Sequence, residues 1–167
     1  QVAVKLLAEM GLSDERMVRD AATPTGVTVS ITSPSDRAMV SYLGTTAKLC
    51  ADDVPSELLG QTRHLHVGGF YLLSALRPAL PELFKRAHEN GATVSLDTGW
   101  DDSGAWDGGI RSALEHVDFF FPNESEAAAL TGHEDPEQAA RALAQLGPTV
   151  VVKCGADGAV LARGGRV

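Results

Sequence analysis

In Phe119-Phe120-Phe121-Pro122-Asn123-Glu124-Ser125-Glu126, an amide and a carboxylate stand three residues apart where an apolar strand gives way to a helix. Two kinds of chemistry suit that spacing. Asn is a favoured N-cap, and a Glu at the third helical position can reach back to the cap's backbone N–H, so Asn123 and Glu126 read as a capping box. The carboxyl end of a strand opening onto a helix N-terminus is also where open α/β sheets bind ligands, and the positive helix end favours phosphate or carboxylate. The chain repeats the capping pattern at Asp135-Pro136-Glu137-Gln138, with Pro at the first helical position and Gln138 in the reciprocal place.

About thirty residues further on, the apolar run Thr149-Val150-Val151-Val152 ends in Lys153-Cys154-Gly155 and continues through a turn into Ala159-Val160-Leu161. Lys153 at a strand end can attract phosphate, although a lone Lys is more often a surface charge. Gly68-Gly69 either lets a substrate approach the backbone or makes the bend after a strand. Tyr42 and Met39 are candidates for substrate contact or for hairpin packing. Asp97, Asp101, Asp102 and Asp107 crowd one Gly-rich loop; such clusters are usually solvated, and only Asp97, at a strand's carboxyl end, is kept as a site residue. His64 and His66 alternate with Leu65 and Val67 and lack a third ligand at usable spacing, so they read as ordinary strand histidines.

The elements that must position these residues alternate. The spacing predicts strands at 64–67, 93–96, 117–121 and 150–153, and helices at 74–90, 110–115, 124–130 and 137–146. Strands alternating with helices specify a parallel sheet with helices on both faces, so the fold class is α/β, doubly wound and mostly parallel. Before it, residues 1–11 read as an amphipathic helix stopped by Gly11. The β-rich runs 27–31 and 38–43 flank the turn residues 32–36 and make a hairpin. A boundary falls near 51–61, giving residues 1–50 (partial helix plus hairpin) and 62–167 (partial α/β body).

The paired units around Asn123 and Lys153 resemble the PfkB/ribokinase family of sugar kinases. More of the chain fits the same order: Thr25-Gly26-Val27-Thr28-Val29-Ser30, Asp36-Arg37-Ala38-Met39-Val40-Ser41-Tyr42, His66-Val67-Gly68-Gly69-Phe70, and Leu96-Asp97-Thr98-Gly99-Trp100 with Trp106 beyond. The resemblance implies a three-layer ribokinase-like body with a small β lid, and ATP-dependent phosphorylation of a sugar or sugar-like polyol. It implies ATP and Mg²⁺ as cofactors, with Asn123 and Glu126 near the metal through water, and Lys153 and Gly155 bordering the nucleotide. Gly68, Gly69, Tyr42 and Asp97 fall on the sugar side, and a homodimer through the lid is the expected assembly. The family's Gly-Gly-x-x-x-Asn type sugar segment and Gly-Ala-Gly-Asp type catalytic segment do not occur here. The chain is therefore read as an internal fragment of a longer kinase, inactive alone, with the catalytic Asp expected downstream.

Composition fits that class. At 44% hydrophobic and 22% charged, 167 residues can bury one substantial core. A net charge of −8 argues against a nucleic-acid backbone binder. Cys50 and Cys154 lack ligand spacing and read as reduced, packed thiols, and no apolar run is long enough for a membrane span, so a cytoplasmic protein is expected. The absence of Gly-x-x-x-x-Gly-Lys-Ser/Thr disfavours a Walker-type NTPase, and the absence of Gly-x-Gly-x-x-Gly after a strand counts against a dinucleotide-binding oxidoreductase. A non-catalytic sugar- or nucleotide-sensing protein on the same fold is the other alternative.

Overall fold

The structure is a computed structural model that describes residues 2–33 and 37–167. Its helices are α1 (Val2–Glu9), α2 (Ser56–Leu59), α3 (Leu80–Glu89), α4 (Ile110–Leu114), α5 (Glu124–Thr131) and α6 (Pro136–Ala144). Strands β1 (Val27–Thr32) and β2 (Arg37–Tyr42) form an antiparallel hairpin, and β3 (His64–Val67), β4 (Thr93–Leu96), β5 (Phe119–Phe120), β6 (Thr149–Lys153) and β7 (Ala159–Ala162) form a five-stranded sheet in sequential order. β3 to β6 are parallel, and β7 returns antiparallel against β6. The fold class is thus α/β, a mostly parallel five-stranded sheet with crossover helices, accompanied by a separate small antiparallel hairpin. Of the turn expected at 32–36, Pro34, Ser35 and Asp36 lie outside the described residues.

The crossover helices α3 and α6 each carry a narrow apolar stripe. In α3, Leu80, Leu83, Phe84 and Ala87 repeat at helical spacing and are all buried, while Gly91, at φ 81°, supplies the left-handed residue that ends the helix. The helix is shorter than the predicted 74–90. Pro78 and Pro81 lack the N–H that a helix interior needs, so residues 77–79 form a 3-10 turn and the α-helix starts at Leu80 with Pro81 in its first turn. Across the sheet, Leu96, Phe120 and Val150 are register partners, and with Val94 and Val152 they are completely buried. The opposite face is polar and more open: His64 and His66 are exposed, and Phe119 retains 39% of its surface.

That open face carries a chain of hydrogen bonds. His64 Nδ1 meets Thr93 Oγ1 at 2.7 Å, His64 Nε2 meets the buried Ser95 hydroxyl at 2.8 Å, and His66 Nδ1 meets the same hydroxyl at 2.7 Å. Both histidines are thereby held by neighbouring strand hydroxyls. Among the described residues, no helix is long and apolar enough to cross a membrane.

Candidate active site

Three strands deliver polar side chains to one edge of the sheet, and a fourth delivers a pair of glycines. β4 ends at Leu96 and hands on Asp97; β5 leads through Pro122 to Asn123; β6 ends on Lys153. Lys153 N donates to Pro122 O at 2.9 Å, which sets Asn123 beside Lys153 as a single parallel bridge. β3 contributes Gly68 and Gly69.

At the start of α5 the two chemistries expected of Asn123 and Glu126 share one geometry. Glu126 N donates to Asn123 Oδ1 at 2.9 Å and Asn123 N donates to Glu126 Oε2 at 2.8 Å, closing the capping box. Glu126 is only 6% exposed, which is unusual for a helix-start carboxylate. Its second oxygen, Oε1, has no hydrogen-bond partner among the described residues. That free oxygen suits a cation held through water. No group of three His, Cys, Asp or Glu suited to a metal occurs among the described residues, and a single carboxylate oxygen can meet a hard cation only with that ion keeping most of its waters.

α6 begins differently. Asp135 accepts from Glu137 N at 3.3 Å, and Gln138, expected to complete a second box, does not reach back. Both side chains are exposed to water, which competes for the reciprocal bond.

Asp97 and Lys153, 56 residues apart, form an ion pair: Nζ donates to Oδ2 at 2.6 Å. The other Asp97 oxygen accepts from Gly99 N at 3.1 Å. Gly69 adopts φ 73° and Gly99 φ 62°, and a Cβ on Gly99 would lie 3.1 Å from Gly69 Cα. Phe70 N to Asp97 O and Tyr71 N to Thr98 O, both 3.0 Å, tie the two bends together. Gly69 therefore makes the bend after β3, and Gly99 permits the close approach that fixes Asp97 over it. Gly68 adopts no positive φ. Gly155, at φ 57°, opens onto free space, and a Cβ there would meet nothing within 4 Å.

The loop after Asp97 corrects one expectation. Asp101, expected to be solvated like its neighbours, is 7% exposed. It accepts from Ser103 N at 3.0 Å, from Ser103 Oγ at 2.8 Å and from Trp106 N at 2.8 Å. Burial pushes its carboxyl up, but these donors and the Arg77 charge outweigh that and hold its pKa below the ordinary carboxylate value. This clamp holds Trp106 at φ 50°, edge-to-face with Trp100 and Tyr71. Buried Tyr71 has its phenol pushed well up by desolvation and then by the Asp101 charge. The Asp-x-Ser spacing of an Asx turn is the signal in the sequence that points to this clamp.

Tyr42 lies elsewhere. It shares the exposed apolar face of the hairpin with Val27, Val29, Ile31 and Val40, and no hydrogen bond or ring contact joins it to the charged cluster among the described residues. A cleft of about 600 Å³ is lined by Arg16, Asp20, Lys48, Cys50 and Leu73, and includes none of the sheet-edge residues. Cys50 and Cys154 are free thiols. Burial raises the Cys154 pKa, which keeps it protonated and unreactive.

A mostly parallel α/β sheet that gathers a capped helix start, a carboxylate and a lysine at its carboxyl edge has its polar side chains at the edge where open α/β sheets bind ligands. The chain belongs to the pfkB family of carbohydrate kinases, whose family model matches residues 1–167. A PfkB protein from Polaromonas sp. JS666 superposes with a TM-score of 0.79 at 25% identity, covering 98% of this chain and 59% of that one. An adenosine kinase from Sinorhizobium meliloti matches at 0.70 and 26%, covering 86% and 46%. A putative ribokinase II from E. coli, in complex with ATP and Mg²⁺, has the same fold at 0.72 and 22%, covering 97% and 57%. The chain thus spans roughly half of these structures' length.

Proposed function

We infer that the intact protein is an ATP-dependent kinase that phosphorylates a hydroxyl of a sugar or sugar-like polyol, with Mg²⁺. The observation that carries this reading is the buried Glu126 of α5, whose carboxylate closes a cap with one oxygen while the other has no partner among the described residues, and whose cap partner Asn123 is bridged to Lys153 of the Asp97–Lys153 pair. Family membership supports the same class of reaction.

Phosphoryl transfer depends on alignment and on neutralising charge that develops on the phosphoryl oxygens; Mg²⁺, when bound, supplies part of that neutralisation. Glu126 Oε1 would hold the metal's waters, and the cap fixes the carboxylate's position through Asn123. Lys153 and the backbone at Gly155 border the phosphates. Gly68, Gly69 and Asp97 lie on the sugar side, and Tyr42 on the hairpin contributes to the lid. No residue of this chain is assigned to removing the hydroxyl proton. A panel of sugars offered to the intact protein should yield sugar-dependent ADP release that requires Mg²⁺. ATP hydrolysis with no sugar dependence, or none with any sugar, contradicts the reading.

The hairpin suggests the assembly. Val27, Val29, Ile31, Val40 and Tyr42 stand on one face and are 60%, 57%, 60%, 63% and 55% exposed, an apolar patch of the kind that is usually covered by a partner. A second copy, hairpin to hairpin, is the proposed partner. Sedimentation of the intact protein should show a dimer, and Val29→Asp should shift it to monomer; a wild-type monomer at all concentrations removes the proposal.

A further inference from the structure

We propose that Lys153 is a shared cation linking the two substrate positions: it neutralises Asp97 while the phosphate donor is absent, and turns to the donor's phosphates on binding, which opens the Asp97 carboxylate to sugar hydroxyls. This rests on the kinase reading above.

The geometry places the pair across the two halves of the site. Asp97 follows β4 and Lys153 ends β6, with the end of β5 between them, so the lysine side chain crosses over the approach to Asn123 to reach its partner. The two partners are held unequally. Asp97 is anchored by Gly99 N and sits beside the fixed Gly69–Gly99 contact, whereas Nζ has Asp97 as its single partner among the described residues. Lys153 is therefore the half that moves, on a flexible four-carbon stem.

The pair is also easy to exchange. The Lys153 and Asp97 side chains are 47% and 30% exposed, so neither charge has been stripped of water and the pair adds little stability. A polyphosphate with several negative charges competes well against one carboxylate for a hydrated ammonium. Once the ammonium leaves, Asp97 Oδ2 regains its accepting capacity, and Gly99 N keeps the carboxylate in place. Because coupling between sites is reciprocal, the attraction that Asp97 exerts on Lys153 is subtracted from donor binding when no sugar is present.

A double-mutant cycle with MgATP as the probe tests this without knowledge of the sugar. Calorimetric titrations of the intact protein, with no sugar added, compare wild type, Asp97→Asn, Lys153→Met and the double variant. Asp97→Asn should bind MgATP about two- to fivefold more tightly, the worth of one part-exposed ion pair. Lys153→Met should bind about tenfold more weakly, as expected for a lost hydrogen bond to a charged group. In the Lys153→Met background, Asp97→Asn should change nothing. Unaltered melting temperatures establish that the variants are folded, and Lys153→Gln replaces Lys153→Met if the latter loses its transition. Equal tightening by Asp97→Asn with and without Lys153 means simple repulsion of ATP by Asp97 and overturns the shared-cation proposal, as does no tightening. Wild-type protein that fails to bind MgATP overturns the kinase reading as well, so the two failures are distinguishable.

Discussion

The starts of α5 and α6 use the same sequence device and reach different structures. Both place an Asx residue three positions before a Glu or Gln. At α5 the box closes in both directions around a buried Glu126; at α6 one bond forms, at 3.3 Å, and Gln138 stays in solvent. The surroundings decide. Pro122 and Asn123 are pinned by β6, which excludes water from the reciprocal bond, whereas Asp135 opens onto solvent that satisfies the same donors. A capping pattern in sequence therefore states where a helix begins, and burial at the sheet edge determines whether its carboxylate is held rigidly enough to serve chemistry.

Replacements at the two caps should separate by size. Asn123→Ala removes a half-buried acceptor and leaves Glu126 N unsatisfied, so it should cost about 1–2 kcal/mol in urea unfolding of the intact protein. Asp135→Ala should cost about 0.5–1 kcal/mol, since water replaces its exposed bond. Gln138→Ala should fall within about 0.5 kcal/mol of wild type, because the side chain caps nothing. A cost for Gln138→Ala equal to that of Asn123→Ala would erase the distinction between the two helix starts.

The sequence is a good guide where periodicity and punctuation are local. The strands at 64–67 and 93–96 match β3 and β4 to the residue, because apolar alternation between turn signals defines them fully. The helix expected at 74–90 overruns the real one because its hydrophobic spacing continues through Pro78 and Pro81, where backbone donors are missing. In the site, Asn123 and Glu126 are readable together because they are three residues apart. The Asp97–Lys153 pair is not, since strand order and register bring it together and neither is encoded near either residue. Asp101 misleads for a related reason: a carboxylate in a Gly-rich loop looks solvated until the tertiary fold buries it beneath Trp106.

On the proposed reading, Glu126 does more at α5 than Gln138 does at α6, because it directs its free oxygen to Mg²⁺. Glu126→Gln tests this most directly, since the amide oxygen can still accept from Asn123 N while the charge is removed. The measurement is the Mg²⁺ dependence of sugar-dependent ADP release by the intact protein, for wild type and Glu126→Gln at matched stability. Turnover should fall by about a hundredfold, the scale of losing one charge-stabilising group, and half-maximal activity should move to higher Mg²⁺. Wild-type turnover with an unchanged Mg²⁺ response in Glu126→Gln would contradict this role and leave Asn123 and Glu126 as a cap alone.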